Sequence, residues 1–463
     1  MGKGRIDMTG TAREKKDYSA TKNACKLCSP LGAALVFKGV RGAVPLLHGS
    51  QGCSTYIRRY LISHFKEPMD IACSNFAEET AIFGGGANLK VALENIRKQY
   101  APAVIGVATT CLSETIGDDV PMFVREYQKS CTDAPPPIVH VATPSYRGTH
   151  MDGFHDAVRA TVEHLAEATA PRGDHVNVFP GMMSPVDLRH IEEILTDFGL
   201  PPVMLPNYAS TLDGPLWTEY NRIPDGGTPV TAIKTMGSAQ GSLEFGRILG
   251  KTKTTAARQL EIKFKVPRRG MGLPIGVNET DRLYGGLEAI SGRPTPTQHR
   301  EERGRLIDSY VDGHKYVSEA RVAVYGEEDL VASLTGFLLE IGAAPVLCAS
   351  GGRSGHLQSA IDDLAAGYPE RKPAVFDGAD FVDIEKAVAD LKPDLLIGSS
   401  KGYAMARRLN IPLVRVGFPV HDRFGGPRIL HLGYRGTQQL FDRIVNALIA
   451  HRQASSPVGY SYM

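Results

Sequence analysis

The sequence predicts an α/β protein of three doubly wound, Rossmann-like domains with parallel sheets. Two observations carry this. Short segments rich in Val, Ile and Leu recur along the chain, each ending in small or polar residues and leading into a helical stretch, the pattern of parallel strands buried on both faces. The chain has 463 residues, more than one hydrophobic core usually supports.

Taken in order, residues 1–22 are polar and without a clear period, and read as an arm. The first domain, 23–170, holds strands at Ala43–Leu47, Val104–Ala108 and Ile138–Ala142, with helices near 54–65, 87–99, 112–128 and 151–168. The second, 171–310, begins with a strand at His175–Phe179, a helix near 185–198 and a strand at Pro202–Leu205. Its remainder, 206–303, is rich in Gly, Pro and Thr and is expected to be mostly connecting structure. The third, 311–463, has strands at Arg321–Tyr325, Ala344–Cys348, Pro373–Phe376, Asp394–Ile397 and Leu413–Val416, followed by a C-terminal tail.

A formal net charge of +2 lacks the concentrated basic face that nucleic acid requires. No apolar run approaches the roughly 20 residues that span a bilayer, and the polar N-terminus has no apolar segment to act as a signal peptide. A cytoplasmic protein is expected, whose partners are proteins or small molecules. Its seven cysteines suit metal ligation better than a disulfide framework, and all but Cys348 precede residue 132.

Cys53 lies in His48-Gly49-Ser50-Gln51-Gly52-Cys53, a glycine-flanked loop after the first strand, and Cys111 ends the second strand's loop. With Cys28 they sit where helix N-termini stabilise thiolate and sulfide charge, which suits an iron–sulfur cluster held by several loops. Gly49 and Gly52 are expected to admit a bulky inorganic core, and Ser145, after the strand at 138–142, to present a hydroxyl at the same rim. The alternative is that these are buried apolar cysteines. Cys25 and Cys28 form a CxxC, for which a zinc site and a redox dithiol are the usual readings. No second pair completes a zinc ribbon, and no strand precedes the motif as in a thioredoxin-type dithiol. Glu114, Asp118 and Asp119 read as helix-capping carboxylates. Ser350–Gly355 and Gly398–Gly402 lack Walker spacing, so no nucleotide is assigned.

His48–Cys53, Thr109-Thr110-Cys111-Leu112-Ser113-Glu114-Thr115-Ile116-Gly117-Asp118-Asp119, Thr143-Pro144-Ser145 and Val416-Gly417-Phe418-Pro419 together resemble the β-type subunit of nitrogenase component 1. The resemblance runs from about 23 to 450 and takes in Glu302-Arg303-Gly304-Arg305 and Leu432-Gly433-Tyr434. It implies the component 1 fold and an oxidoreductase subunit. Cys28, Cys53 and Cys111 match the β-side thiolates of the P-cluster, an iron–sulfur relay shared with an α-type partner in an α2β2 heterotetramer. Ser145 matches the serine that coordinates the oxidised cluster. Phe83 matches the aromatic residue at the docking surface for the ATP-hydrolysing iron protein. His421, in Gly417-Phe418-Pro419-Val420-His421, follows the β-type pattern and is expected to be structural rather than an iron ligand. The short arm, the Cys25/Cys28 pair and Ser54–Arg59 differ from the molybdenum nitrogenase β subunit and look closer to nitrogenase-like proteins and assembly scaffolds; among these the favoured resemblance is to the β-type subunit of methylthio-alkane reductase, which cleaves C–S bonds of volatile sulfides. The alternatives are the β-type half of a cofactor-assembly scaffold and the β subunit of an alternative nitrogenase.

Overall fold

Nearly unbroken apolar runs place their strands at the centres of sheets, because both faces of such a strand must be covered. The structure, a computed structural model, describes residues 23–168, 171–252 and 254–458. The arm expected over 1–22 lies outside them. In the first sheet, β1 (Ala43–His48) and β3 (Val104–Thr109) are buried along their whole length and pair in parallel. They are flanked by the two-residue β2 (Ala72–Cys73) and by β4 (Ile138–Val141), in the order β2-β1-β3-β4. The second sheet contains β5 (Val176–Phe179), β6 (Pro202–Met204), β7 (Gly241–Phe245) and β8 (Arg268–Met271), ordered β6-β5-β7-β8. The third contains β9 (Arg321–Gly326), β10 (Ala344–Ser350), β11 (Ala374–Phe376), β12 (Leu395–Gly398) and β13 (Leu413–Arg415), ordered β11-β10-β9-β12-β13. All ladders within the three sheets are parallel.

One expectation is corrected here. The stretch 206–303 is not mostly connection: it supplies β7, β8 and the helices Ala256–Phe264 and Val277–Ser291. β7 escapes an apolar-run reading because Ser242 and Glu244 point polar groups into the interior. The Ser242 hydroxyl accepts from the Asn177 amide at 3.2 Å, and Glu244 accepts from Thr255 and Arg268, each at 2.9 Å. β8 escapes because it is an edge strand in which Arg269 and Gly270 face solvent and Arg268 turns to Glu244.

The helices of the first third are α1 (Ser29–Lys38), α2 (Gln51–Phe65), α3 (Glu78–Phe83), α4 (Gly86–Tyr100), α5 (Cys111–Thr115), α6 (Val120–Ser130) and α7 (His150–Leu165). The single helix expected at 112–128 is two, broken at Gly117, whose φ of +79° belongs to the left-handed region. α1 and α7 touch backbone to backbone. A Cβ on Gly32 would fall 1.8 Å from the His150 carbonyl oxygen, and one on Gly153 would fall 1.9 Å from that of Ser29. This contact fixes the start of α1 against the loop after β4.

Candidate metal-cluster site

In a parallel sheet, ligand-binding loops gather at the carboxyl ends of the strands, above all where strand order reverses. In the first sheet that point lies between β1 and β3. The loop after β1 carries Cys53 into the first turn of α2, and the loop after β3 delivers Cys111 as the first residue of α5. Cys28 is the N-cap of α1, with extended backbone. Each cysteine therefore lies at a helix start, where unpaired N–H groups and the helix dipole favour negative charge on sulfur.

Four hydrogen bonds draw Cys28 to this rim although no strand leads to it. The Leu27 amide donates to His150 Nδ1 at 3.3 Å, and the His150 amide returns a bond to the Leu27 carbonyl at 2.9 Å. The Ser29 hydroxyl donates to the Thr149 carbonyl at 2.8 Å. The Ser29 amide donates to Ser145 Oγ at 3.1 Å. Burial pushes the His150 pKa down to about 4, which keeps the ring neutral and able to accept the Leu27 N–H.

Ser145 also joins the other side, its amide donating to Cys111 Sγ at 3.3 Å. The loop that carries it is tied to the end of β3, since the Thr143 amide and hydroxyl bond Thr109 at 2.8 and 2.6 Å. Burial is the largest cause holding the Cys28 thiol above its ordinary value; the Ser145 hydroxyl opposes it, and the Cys111 and Cys53 thiols add to it. The Cys28 thiol therefore shares its electrostatic surroundings with Cys111 and Cys53. Thiolate sulfur from several loops is a donor set that an iron–sulfur cluster accepts.

All seven cysteines are free. Among the described residues, no three His, Cys, Asp or Glu side chains are grouped to hold a metal ion. The CxxC does not act as one chelating pair, because Cys25 packs beside Lys401 and Gly351 whereas Cys28 lies beside Ser145 and Cys111. Cys53 is only half-buried and Cys111 is exposed, so the rim opens to the surface of this chain.

Several residues lie elsewhere than the sequence suggests. The Cys25 thiol is enclosed against the third sheet and pushed up to about 12 by burial, with Lys401 and the Gly351 amide pulling the other way. Its segment fills the loops at the carboxyl ends of that sheet: Phe381 N–H donates to Asn23 O at 2.8 Å, Lys401 Nζ donates to Ala24 O at 2.7 Å, and a Cβ on Gly351 would fall 2.4 Å from Cys25 O. The glycine-rich loops 350–355 and 398–402 are occupied by protein in this way. Gly49 does not serve cluster approach: a Cβ there would meet Thr110 Oγ1 at 2.1 Å, so the residue lets two loops of the chain pack. Gly52, by contrast, faces open space. Cys73 donates to the Gly49 carbonyl at 3.1 Å and so braces the Cys53 loop from β2. Asp119 caps α6 through the Met122 amide at 2.9 Å, as expected. Asp118 does not cap; it accepts from His48 Nε2 at 2.9 Å and from the Gly85 amide. His421 bonds the Tyr60 carbonyl at 3.1 Å, the structural role expected, and Cys348 is fully buried beside Thr335. Phe83, 85% exposed, ends α3 next to Ile82, 75% exposed, and forms an apolar point on the surface.

The fold and this rim define a class of multi-loop α/β oxidoreductases. The sequence matches the model of the family "Nitrogenase component 1 type Oxidoreductase" over residues 28–449. It is 37% identical over 444 residues to the nitrogenase molybdenum-iron protein beta chain of Clostridium pasteurianum, covering 96% of each chain. It is 35% identical over 436 residues to the nitrogenase iron-molybdenum cofactor biosynthesis protein NifN of Bradyrhizobium diazoefficiens, covering 93% of this chain and 90% of that one. A solved structure described as "Nitrogenase Cp1 at pH 6.5" superimposes with a TM-score of 0.93 at 34% identity, covering 97% of this chain and 98% of that one. The chain belongs to the nitrogenase component 1 family of oxidoreductases. Within it, the chain is a β-type subunit. Among the described residues, no helix is long and apolar enough to cross a membrane.

Proposed function

We propose that this chain is the electron-relay subunit of a two-component, ATP-dependent iron–sulfur reductase. What supports the reading is that Cys28, Cys53 and Cys111 each lie at a helix start, with Ser145 bonded both to the Ser29 amide and to Cys111. An iron–sulfur cluster held there supplies one-electron transfer. The chain's own part is to offer three thiolates at helix starts, to place the Ser145 hydroxyl beside Cys28, and to leave the outer side of the rim for the cysteines of an α-type partner in an α2β2 assembly. Exposed Phe83 and Ile82 offer the apolar contact for an ATP-hydrolysing iron protein. Substrate is reduced at a cofactor in the partner, and the location of the assembly is the cytoplasm.

The specific reductase we propose is methylthio-alkane reductase, on the sequence Ser54–Arg59 that follows the Cys53 turn. The Cys25/Cys28 pair no longer bears on that choice, because the Cys25 thiol faces the third sheet. Similarity to NifN favours a second reading, the β-type half of a cofactor-assembly scaffold. The complex with its α-type partner, iron protein, ATP and reductant is to be assayed against dimethyl sulfide and dinitrogen. The expected reaction takes two electrons and two protons and cleaves one C–S bond of dimethyl sulfide to give methane and methanethiol. Ammonia without methane or methanethiol contradicts the specific reading, and no product from either substrate favours the scaffold.

A further inference from the structure

His48 and Asp118 lie between the two surfaces on which the proposed function depends. His48 ends β1, one residue before the Cys53 loop, and its ring is fully buried. Its Nδ1 lies 3.0 Å from Ser74 Oγ, and its Nε2 lies 2.9 Å from Asp118 Oδ2. Asp118 follows the α5 helix that begins at Cys111, and its amide is held by the Ser113 carbonyl at 3.1 Å. Its two carboxylate oxygens also accept from the Gly85 amide at 3.0 and 3.1 Å, two residues after Phe83.

The bonds assign the protons. Burial is the largest cause lowering the His48 pKa, with Asp118 opposing it, so the ring is neutral and carries one N–H. That N–H is best placed on Nε2, donating to the Asp118 carboxylate; Nδ1 then accepts from the Ser74 hydroxyl. Ser74 Oγ in turn accepts the Gly49 amide at 2.9 Å. A continuous path therefore runs from the Gly49 N–H through Ser74, His48 and Asp118 to the Gly85 N–H, with a partner for each donor. Its surroundings are tight: a Cβ on Gly85 would fall 2.6 Å from Asp118 Oδ2 and 2.4 Å from Phe76 Cζ, and the Phe76 amide bonds the Gly49 carbonyl at 3.0 Å.

We propose that Asp118 and His48 are positioning residues that join the turn behind Phe83 to the Cys53 and Cys111 loops as one rigid body. The electron donor that lands on Phe83 then meets a cluster rim at a fixed distance and orientation. The inference rests on the docking and cluster readings above. Buried, fully paired networks suit this task, because breaking one member strands the others in a low-dielectric interior. Phe83 supplies contact area, whereas Asp118 and His48 are out of reach of any partner; binding and transfer should therefore separate on mutation.

The test uses the complete complex with its α-type partner and the iron protein, in Asp118→Ala and, as an independent cut of the same path, His48→Asn, which keeps a group near Ser74 and loses the reach to Asp118. In both, hydrogen–deuterium exchange should speed up together over 46–53 and 82–88, at least tenfold. Turnover driven by the iron protein should fall at least tenfold in kcat, with KM for the iron protein within twofold of the parent. Iron content, the cluster's spectrum and the rate of reduction by a low-potential europium(II) chelate should stay at parent levels. Asp118→Asn, which keeps an oxygen for the Gly85 amide, should restore most of the kcat. An unchanged kcat in both variants overturns the proposal, as does a parallel loss of iron and europium-driven reduction in both. Exchange that rises in one segment only also overturns it. Phe83→Ala judges the docking reading separately: an unchanged KM for the iron protein removes that reading, while the exchange data still decide the link.

Discussion

Replacing Cys53 by alanine is expected to abolish the iron–sulfur signature of the complex while leaving the chain folded. The thiol is half-buried, and among the described residues its one side-chain hydrogen bond is a 3.8 Å approach by the Ser50 hydroxyl. Its position in the first turn of α2 accepts alanine without backbone cost, since alanine is the best helix former. Little folding energy therefore depends on this sulfur. Changes beside a metal centre typically cost 10–100-fold in affinity or activity, so loss of a ligand itself should reduce electron delivery by roughly a hundredfold or more. Far-UV circular dichroism of the variant should match the parent, and its iron should fall to that of the partner's cofactor. An unaltered cluster spectrum would show that the ligands lie elsewhere.

Asp187→Ala is expected to have the largest effect on stability. The residue lies in the first turn of α8 (Pro185–Asp197), fully buried, and joins the second domain to the start of the C-terminal helix Gly433–Ser455. Oδ1 accepts from the amides of His431 at 2.7 Å and Leu432 at 3.1 Å. Oδ2 accepts from the Ser184 hydroxyl at 2.7 Å and lies 2.9 Å from His431 Nδ1. Truncation strands these groups where water cannot replace the carboxylate, at a cost of about 3–5 kcal/mol by analogy with other broken buried pairs. Unfolding as one unit, a chain of this length should lose roughly 3–5 °C in its thermal midpoint.

The pH dependence follows from the same contacts. Burial alone would raise the Asp187 pKa, but the His431 charge and the hydrogen bonds from His431 and Ser184 outweigh it, and the net shift is downward from 3.8. A lowered carboxylate stabilises the fold fully above its unfolded value and loses that contribution as pH falls through the folded one. The gap in urea midpoint between parent and Asp187→Ala should be constant from neutral pH to about 4 and narrow below 3.8. A gap that already narrows between pH 7 and 5 would assign the stabilisation to another group.

The parts of the fold legible in the sequence were those whose burial is written in apolar side chains. Val104–Val107 and Leu46–Leu47 announce central strands because nothing polar interrupts them. Ser242 and Glu244 are as buried, but their cost is met by residues far away in sequence, Asn177 and Arg268 among them, and no local pattern records that. The site divides in the same way. Cys53 and Cys111 follow apolar runs, so their place in loops after strands is legible, whereas the switch point between those strands is set by the sheet order. Cys25 and Cys28 are neighbours in sequence, yet Leu27 is buried between them and sends their thiols to different sheets. Asp118 was read as a cap because it precedes a helix, as its neighbour Asp119 does. The group that Asp118 bonds, the Gly85 amide, lies 33 residues away, and only the folded chain reveals it.

The central claim is that Cys28, Cys53 and Cys111 hold this chain's half of a shared iron–sulfur cluster. The most direct measurement is anomalous diffraction at the iron edge from crystals of the complex purified without oxygen. The account predicts a multi-iron peak at the subunit boundary, directly bonded to the sulfurs of all three cysteines. Iron density that leaves these three sulfurs unligated would contradict it.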